Sequence, residues 1–528
     1  MVDQRMSPPM YIRLQRVAFV CGILGSNPLA QAQLTQIQWQ RSLGGTANDF
    51  AGSIQQTSDG GFITVGSTNS LDGDVFGNHG GTDCWVVKLD TTGNLEWQKA
   101  LGGSQWDVAV SVEQTADSGF IVLGTSYSND GDVSANHGFG DFWVAKLNPS
   151  GDLQWQRAYG GSGYEEAHCI QQTDDGGYVM AGTTDSNDGD VSGVHGSSDY
   201  WIVKLDPLGD VQWQKCLGGS SHDVASSVQQ TGDGDYFLSG RTFSNDGDVS
   251  GSHGSFDFWV VKLDGAGDLQ WQRALGGSGD DEAFSAEHTS DGGYIVAGRT
   301  TSNNGDITGY HGNYDGWVVK LDGAGNLLWQ RAIGGSDSDE ARCVRQTTDD
   351  GYVIAAHTIS YDGDVSWQHG AGDVWVVKLD TDGNIEGQRA FGGSNVEFGV
   401  SAQGTVDGGY VVAGYTGSND GDVILNNGAQ DFWVVSLGND FMGLDEPATH
   451  PAMFEAFPNP SDGMVRIVHD GSRSSLHLII TNASGCRVFG KTLDEEAFAL
   501  DLSDQPQGLY LITVFSSDGA SSRRLVLE

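Results

Sequence analysis

Between Leu34 and Leu437, short runs of β-branched and aromatic residues alternate with turns rich in Gly, Asp and Asn. No stretch holds a 3.6-residue apolar period between helix caps, so a helical solenoid is excluded and the runs predict strands. One unit illustrates the pattern. Ala167–Thr173 reads as a first strand, and Asp-Asp-Gly-Gly turns the chain into a second, Tyr178–Thr183. Glycine accepts the positive φ that such a hairpin turn requires. A long polar connection then leads to a third strand at Trp201–Leu205, and Asp-Pro-Leu-Gly turns it into a fourth at Val211–Leu217.

This unit recurs. Trp-Gln-Arg-Ser-Leu-Gly-Gly begins at Trp39, and its relatives begin at Trp97, Trp155, Trp213, Trp271, Trp329 and Gly387, each 58 residues after the last. A second signature, Trp-Val-Val-Lys-Leu-Asp or a close variant, begins at Trp85 and returns with the same spacing as far as Trp433. The two columns hold 13 of the 15 tryptophans, and Gly387 interrupts the first of them. Four-stranded units in seven copies predict a seven-bladed β-propeller over residues 34–438, with the tryptophans between neighbouring blades. The seventh copy stops after Trp433–Leu437, one strand short, and Leu34–Leu43 precedes the first full copy. The N-terminal strand is therefore expected to complete the last blade, which leaves no unpaired edge. Asp-Gly-Gly-Tyr-Ile-Val-Ala-Gly at Asp291–Gly298 resembles bacterial β-propeller repeats of large secreted proteins, and the likeness implies fold rather than activity.

Charge narrows the partners. The formal net charge is −44, from 26 Lys and Arg against 70 Asp and Glu. Such a field repels phosphate backbones, so nucleic acid is excluded as a partner. The first 32 residues read as a signal peptide, with Arg13 and Arg16, an apolar run Val17–Gly25, and Ala30-Gln31-Ala32 as the cleavage site. Met10 offers a start of more usual leader length. No apolar run is long enough to span a bilayer. The cysteines after the leader are odd in number and sit at different repeat offsets, which predicts small buried side chains and no disulfide or zinc framework.

After residue 438 the period ends. Residues 439–452 have linker composition, and residues 453–528 alternate apolar positions with Gly and Pro turns, predicting a small Ig-like β-sandwich. Pro458-Asn459-Pro460, Gly463, Val465, Ile467, Gly485, Val488, Leu500, Leu502, Pro506, Gly508, Tyr510 and Leu525 give this segment its spacing. In these residues it resembles the type A C-terminal sorting domain of the type IX secretion system. The resemblance implies the outer-membrane secretion machinery as a partner, and release or surface attachment as the outcome. The ending Leu525-Val526-Leu527-Glu528 departs from the basic residue usual in that family.

Candidate chemistry gathers on one rim, because alternating strand direction places the second-to-third connection beside the link between blades. The connection carries an Asp-Gly-Asp core at Asp72/Asp74, Asp130/Asp132, Asp188/Asp190, Asp246/Asp248, Asn304/Asp306, Asp362/Asp364 and Asp420/Asp422. Two further acidic columns run from Asp49 to Glu397 and from Asp83 to Asp431. Oxygen-rich loops suit calcium, which makes these acids candidate metal ligands. The same triplet also arises when Asp accepts its own loop's N–H and Gly turns left-handed. A histidine column runs from His79 to His369, with Asn427 in the seventh copy; both residue types can tie a loop down. No phosphate loop, nucleophile elbow or single asymmetric catalytic cluster emerges. The expected function is binding or adhesion to an extracellular polymer such as a glycan; a polysaccharide-active enzyme and a surface-layer component are the alternatives.

Overall fold

The computed structural model describes residues 32–33, 37–366 and 368–438, and beyond them most strand residues between 454 and 527 with some of their turns. Every described element is a β-strand. In the first blade, Asp49–Gln56, Phe62–Thr68, Asp83–Leu89 and Leu95–Leu101 pair antiparallel in chain order. Five more sheets repeat this order. The first strands of successive blades touch around a closed ring, so they are the innermost. Each carries a β-bulge, between Ala51 and Ser53 in the first blade and at the same offset in the others.

The seventh blade closes as the truncated last repeat requires. Ile37–Leu43 pairs antiparallel with Asp431–Leu437, which continues to Tyr410–Thr416 and Glu397–Gly404. The strands begin earlier than apolar content alone predicts: the first and third strands of the third blade start at Glu165 and Asp199. An acid therefore opens both strands, a point that matters below.

Tryptophan placement follows two rules. The third-strand tryptophans, Trp85 through Trp433, are at most 1% exposed, and their rings reach the preceding blade. Trp85 meets Phe432 at 4.6 Å, Trp201 meets Phe142 at 4.6 Å and Trp259 meets Tyr200 at 4.4 Å between ring centroids. Buried indole N–H groups need acceptors, and glutamine on the outer strand supplies each. Trp85 Nε1 donates to Gln98 Oε1 at 2.8 Å, and Trp433 Nε1 donates to Gln40 Oε1 at 3.0 Å across the ring closure. The outer-strand tryptophans are half-buried and lean on the next blade, as Trp97 does on Phe120 at 5.7 Å. Gly387, where this column lapses, lies on the one outer strand that has another outside it, Ala32–Gln33.

Two compact units emerge: Gln33–Phe441, and one that holds the C-terminal strands. Within the latter, Phe454–Phe457, Met464–His469 and Ala497–Asp501 form one sheet. Arg487–Leu493, Leu476–Asn482, Gly508–Ser516 and Gly519–Leu527 form another. Val465, Ile467, Leu478, Ile480, Leu500 and Ile512 belong to one buried apolar cluster shared by both sheets. Tyr510 and Gly508 fall on the third strand of the larger sheet, and the Tyr510 hydroxyl donates to Pro506 O at 2.7 Å. Pro458, Asn459, Pro460 and residues 1–31, where most of the expected signal peptide falls, lie outside the described residues.

Closure by the N-terminal strand is directly testable. Deleting residues 34–43 exposes the edge of the seventh blade, and light scattering is expected to show association on purification. The milder Gln40→Ala leaves Trp433 Nε1 without its acceptor and is expected to cost about 1–3 kcal/mol, read as a lowered denaturation midpoint.

Candidate functional site

The three acidic columns serve different ends. In the connection between second and third strands, the first Asp of each Asp-Gly-Asp core is exposed and accepts hydrogen bonds from the link between blades. Asp130 Oδ1 accepts from Ser104 N at 2.7 Å, and Asp188, Asp246, Asp362 and Asp420 repeat the contact with Ser162, Ser220, Ser336 and Ser394. Asp72 accepts from both Thr46 N and Thr46 Oγ1, at 2.7 and 3.0 Å for the shorter contacts. Those backbone N–H groups hold Asp130, Asp188, Asp246 and Asp362 below the usual carboxylate range. The second Asp faces the preceding glycine: Asp74, Asp132, Asp190, Asp248, Asp306 and Asp422 accept from Gly44, Gly102, Gly160, Gly218, Gly276 and Gly392, at 3.1–3.4 Å. Asp364 closes the same turn through its own N–H, which donates to Gly334 O at 2.8 Å. The intervening glycine is left-handed, with φ 67° at Gly73. A calcium ion at these loops has to compete with donors already in place. Among the described residues, no group of three or more His, Cys, Asp or Glu side chains is arranged to hold a metal ion.

The other two columns are not on the rim surface at all. The acids that open the first strands, Asp49 to Glu397, and the third strands, Asp83 to Asp431, are fully buried. Composition places acids outside; here each has a donor set that compensates burial. Asp49 accepts from Gly45 N at 2.9 Å and Ser70 Oγ at 2.8 Å, and also from Thr68 Oγ1. Asp83 accepts from His79 N at 2.9 Å and contacts His79 Nδ1 at 2.7 Å. The same pair recurs at His137–Asp141, His195–Asp199, His253–Asp257, His311–Asp315 and His369–Asp373, between 2.6 and 3.0 Å. In the seventh blade Asn427 N donates to Asp431 Oδ2 at 2.5 Å. The histidine column is thus a loop tie whose partner is a buried carboxylate.

Buried acids of adjacent blades also face each other. A Cβ on Gly276 would stand 2.6 Å from Asp281 Oδ2 and 2.7 Å from Asp257 Oδ1, which explains the first glycine of the pair in that Trp-Gln-Arg-X-Leu-Gly-Gly run. Burial, with Asp281 adding repulsion, pushes Asp257 up to about 6. Asp339 and Asp431 reach about 6 for the same first cause. Asp257 Oδ1 and Asp431 Oδ1 are buried and have no hydrogen-bond partner among the described residues.

Asymmetry appears at the axis. The second-to-last and last residues of the innermost strands bond blade to blade: Gln55 Oε1 accepts from Gln114 N at 2.5 Å, Gln171 Oε1 from Gln230 N at 2.6 Å and Gln229 Oε1 from His288 N at 2.7 Å. Glu113 and Glu287 serve as acceptors in the same way. Arg345 occupies this position in the sixth blade, where a guanidinium has nothing to accept with, and donates to Ser285 Oγ at 3.1 Å instead. These side chains line an axial cavity of about 200 Å³ together with Cys169, one of four free cysteines among the described residues. Burial pushes Glu113 up to about 7. At the loop-side end, Arg241, Glu282, Arg299, Glu340 and Arg342 form a ladder of ion pairs across blades four to six. Neither feature emerges from the period. The signal is present in the columns that break it: from Gln55 to Gln403 the column reads Gln, Glu, Gln, Gln, Glu, Arg, Gln.

Fold and site together define an all-β protein: a closed seven-bladed propeller with buried carboxylates in every blade, joined to a separate two-sheet module. Residues 455–528 match the family of secretion-system C-terminal sorting domains. This module is a type IX sorting domain, and the protein is exported to the cell surface or secreted. The regulatory protein FlaEY of Caulobacter vibrioides is 25% identical over 288 residues, which cover 48% of this chain and 30% of that protein. Among solved structures, a fungal alcohol oxidase of the AA5 family in complex with copper aligns at TM-score 0.43 and 11% identity, over 94% of this chain and 100% of the other. PorZ, a surface component of the type IX secretion system of Porphyromonas gingivalis, aligns at TM-score 0.38 and 12% identity, over 94% and 61%. Neither structural likeness bears on chemistry.

The buried acids fix the pH response. With folded values near 6 for Asp257, Asp339 and Asp431 and about 3.9 unfolded, the folded protein holds more protons between those limits. Their stabilising contribution is complete below about 4 and lost as pH rises through about 6. Asp233 and Asp291, both at about 2, act oppositely, and their contribution is lost as pH falls from about 4 towards 2. The melting temperature is therefore expected to peak near pH 4–5 and fall towards pH 7. Asp257→Asn, which keeps an acceptor for His253, is expected to reduce that fall in a pH series of thermal melts.

Proposed function

We propose that this exported propeller is a binding protein that engages an extracellular polymer, a glycan, on its loop rim. The observation that supports this reading is the company the exposed carboxylates keep. Phe76, Trp106, Phe139 and Tyr361 lie on the same rim as Asp72, Asp130 and Asp362, and each is between 66% and 74% exposed. Exposed aromatic side chains offer flat apolar faces with a fixed geometry to a partner. A sugar ring offers an apolar C–H face for an aromatic plane and hydroxyls for neighbouring carboxylates. Several such aromatics beside carboxylates on one ring can add weak contacts along a chain-like ligand.

The rival reading is a secreted polysaccharide-active enzyme, and carboxylates close enough to act in pairs occur in every blade. The buried pairs, however, are engaged in loop hydrogen bonds and are closed to substrate. The exposed Asp-Gly-Asp acids hold the link between blades. A surface-layer component would share these features and differ in self-association.

Glycan-array screening of the purified protein is expected to return binding to at least one polysaccharide. Phe139→Ala and Trp106→Ala are each expected to weaken it by roughly tenfold while the thermal melt stays unchanged. Release of reducing ends from the bound polysaccharide, abolished by one carboxylate substitution, would establish the enzyme instead.

A further inference from the structure

The propeller's cations are distributed with a regularity that isolates four of them. Between residues 34 and 438 every Lys and Arg falls in one of two repeat columns except Arg241, Arg299, Arg342 and Arg345. One column, from Lys88 to Lys378, ties the turn between first and second strands, as Lys88 does with Asp59 at 3.0 Å. The other, from Arg41 to Arg389, lies on the outer strands. The four exceptions sit on the first and second strands of blades four to six, beside the axis.

Three of these arginines form one connected array at the loop-side mouth of the channel. Arg299 donates to Glu282 at 2.8 Å and to Glu340 at 2.6 Å. Arg241 pairs with Glu282 from one side, and Arg342 pairs with Glu340 from the other. The carboxylates lie underneath, with 6% and 12% of their side chains exposed, while Arg241, Arg299 and Arg342 keep 34%, 22% and 29%. The cations thus form the open face. Burial works against the charge on Arg299, and Glu282 and Glu340 more than offset it, so the group lies above its ordinary range.

Aromatic faces fix the guanidinium planes. Arg299 lies over Tyr314 at 4.5 Å, Arg342 over Phe284 at 4.2 Å and over Phe398 at 4.9 Å, and Arg241 over Phe256 at 5.1 Å. Phe284 and Arg342 are the bulged residues of their innermost strands, and a bulge re-aims the side chain it carries. Phe398 stacks in turn on Tyr415 at 5.5 Å and on His357 at 4.3 Å. Three guanidiniums offer more N–H donors than two carboxylates can accept, and the buried Nε of each has no partner among the described residues.

None of this is required by the blade. The same bulge position holds Gly52, Val110 and Ser226 in other blades, which fold to the same strands. Preformed, half-open guanidinium forks flanked by aromatic planes are the recognition chemistry of an oxyanion. We propose that the loop-side mouth at blades four to six binds a ligand carrying a carboxylate or a sulfate ester. The oxyanion meets Arg241, Arg299 and Arg342, and the adjoining ring or apolar face meets Phe284 and Phe398. The site is independent of whatever the outer rim binds, and it places a cationic pocket inside a chain whose net charge is −44.

Isothermal titration of the full chain with galacturonate, with sulfate and with uncharged galactose, at constant ionic strength, tests the site. Saturable binding of at least one oxyanion and none of galactose is expected. A response to galacturonate alone identifies a carboxylate ligand, and a response to sulfate alone a sulfate ester. Arg342→Met and Arg241→Met each leave their glutamate paired with Arg299, and each is expected to weaken binding by roughly tenfold to a hundredfold. Arg342→Lys keeps the charge without the fork and is expected to fall between, which holds the test open should the Met variant melt early. Arg273→Met removes the same charge from an outer strand and is expected to change nothing. Absence of saturable binding by either anion, or an equal loss in Arg273→Met, overturns the proposal.

Discussion

A single indole in the third strand of each blade carries the contact on which the ring depends. Its faces fill the space against the preceding blade, and its N–H reaches a glutamine on its own outer strand. The first contact joins blades; the second joins strands three and four. In the seventh blade the outer strand comes from the opposite end of the propeller sequence, so the bond from Trp433 to Gln40 joins both ends of the ring. A fully buried Trp removes about 150–250 Å² from water, worth an upper estimate of about 4–6 kcal/mol. Repeated in every blade, that term outweighs any loop interaction, and it leaves the loops free to differ.

Period and strand order were legible because they are written in sameness. Equal spacing of two tryptophan columns implied equal blades, and a missing last strand beside a spare first one implied closure. What sameness hid was depth. Acids that open strands at Asp49 and Asp83 look like rim residues because carboxylates are seldom buried. Only the structure shows the donors that reach them, from Gly45, Ser70 and His79. A column acidic in every copy was a clue in itself, since a surface position tolerates drift and a buried donor set does not.

The asymmetric residues were hidden for the opposite reason. A search for a repeat treats Arg342 or Phe284 as noise around a consensus, although each is the bulged residue of an innermost strand. Gly387 is the instructive counter-example. It too breaks a column, but on an outer strand away from the axis, and nothing in the structure explains it. A deviation carries chemical meaning only where the fold would accept any residue and the neighbouring deviations touch one another. Arg241, Glu282, Arg299, Glu340 and Arg342 meet both conditions, and scattered replacements such as Leu208 do not.

The buried carboxyl pairs and the arginine ladder answer one electrostatic problem in two ways. Where adjacent blades bring two acids together behind a glycine, burial with added repulsion raises the carboxyl, to about 6 at Asp257 and Asp431, so a proton is retained below that pH. Where blades four to six bring Glu282 and Glu340 to the channel mouth, relief comes from guanidiniums, and the charge is inverted on the open side. The formal charge of −44 therefore overstates the field at the axis. Fixed columns hold the ring, and positions left variable include the arginine ladder at the channel mouth. A closed propeller separates these tasks because its innermost strands contribute edges to the lumen while their neighbours carry the packing.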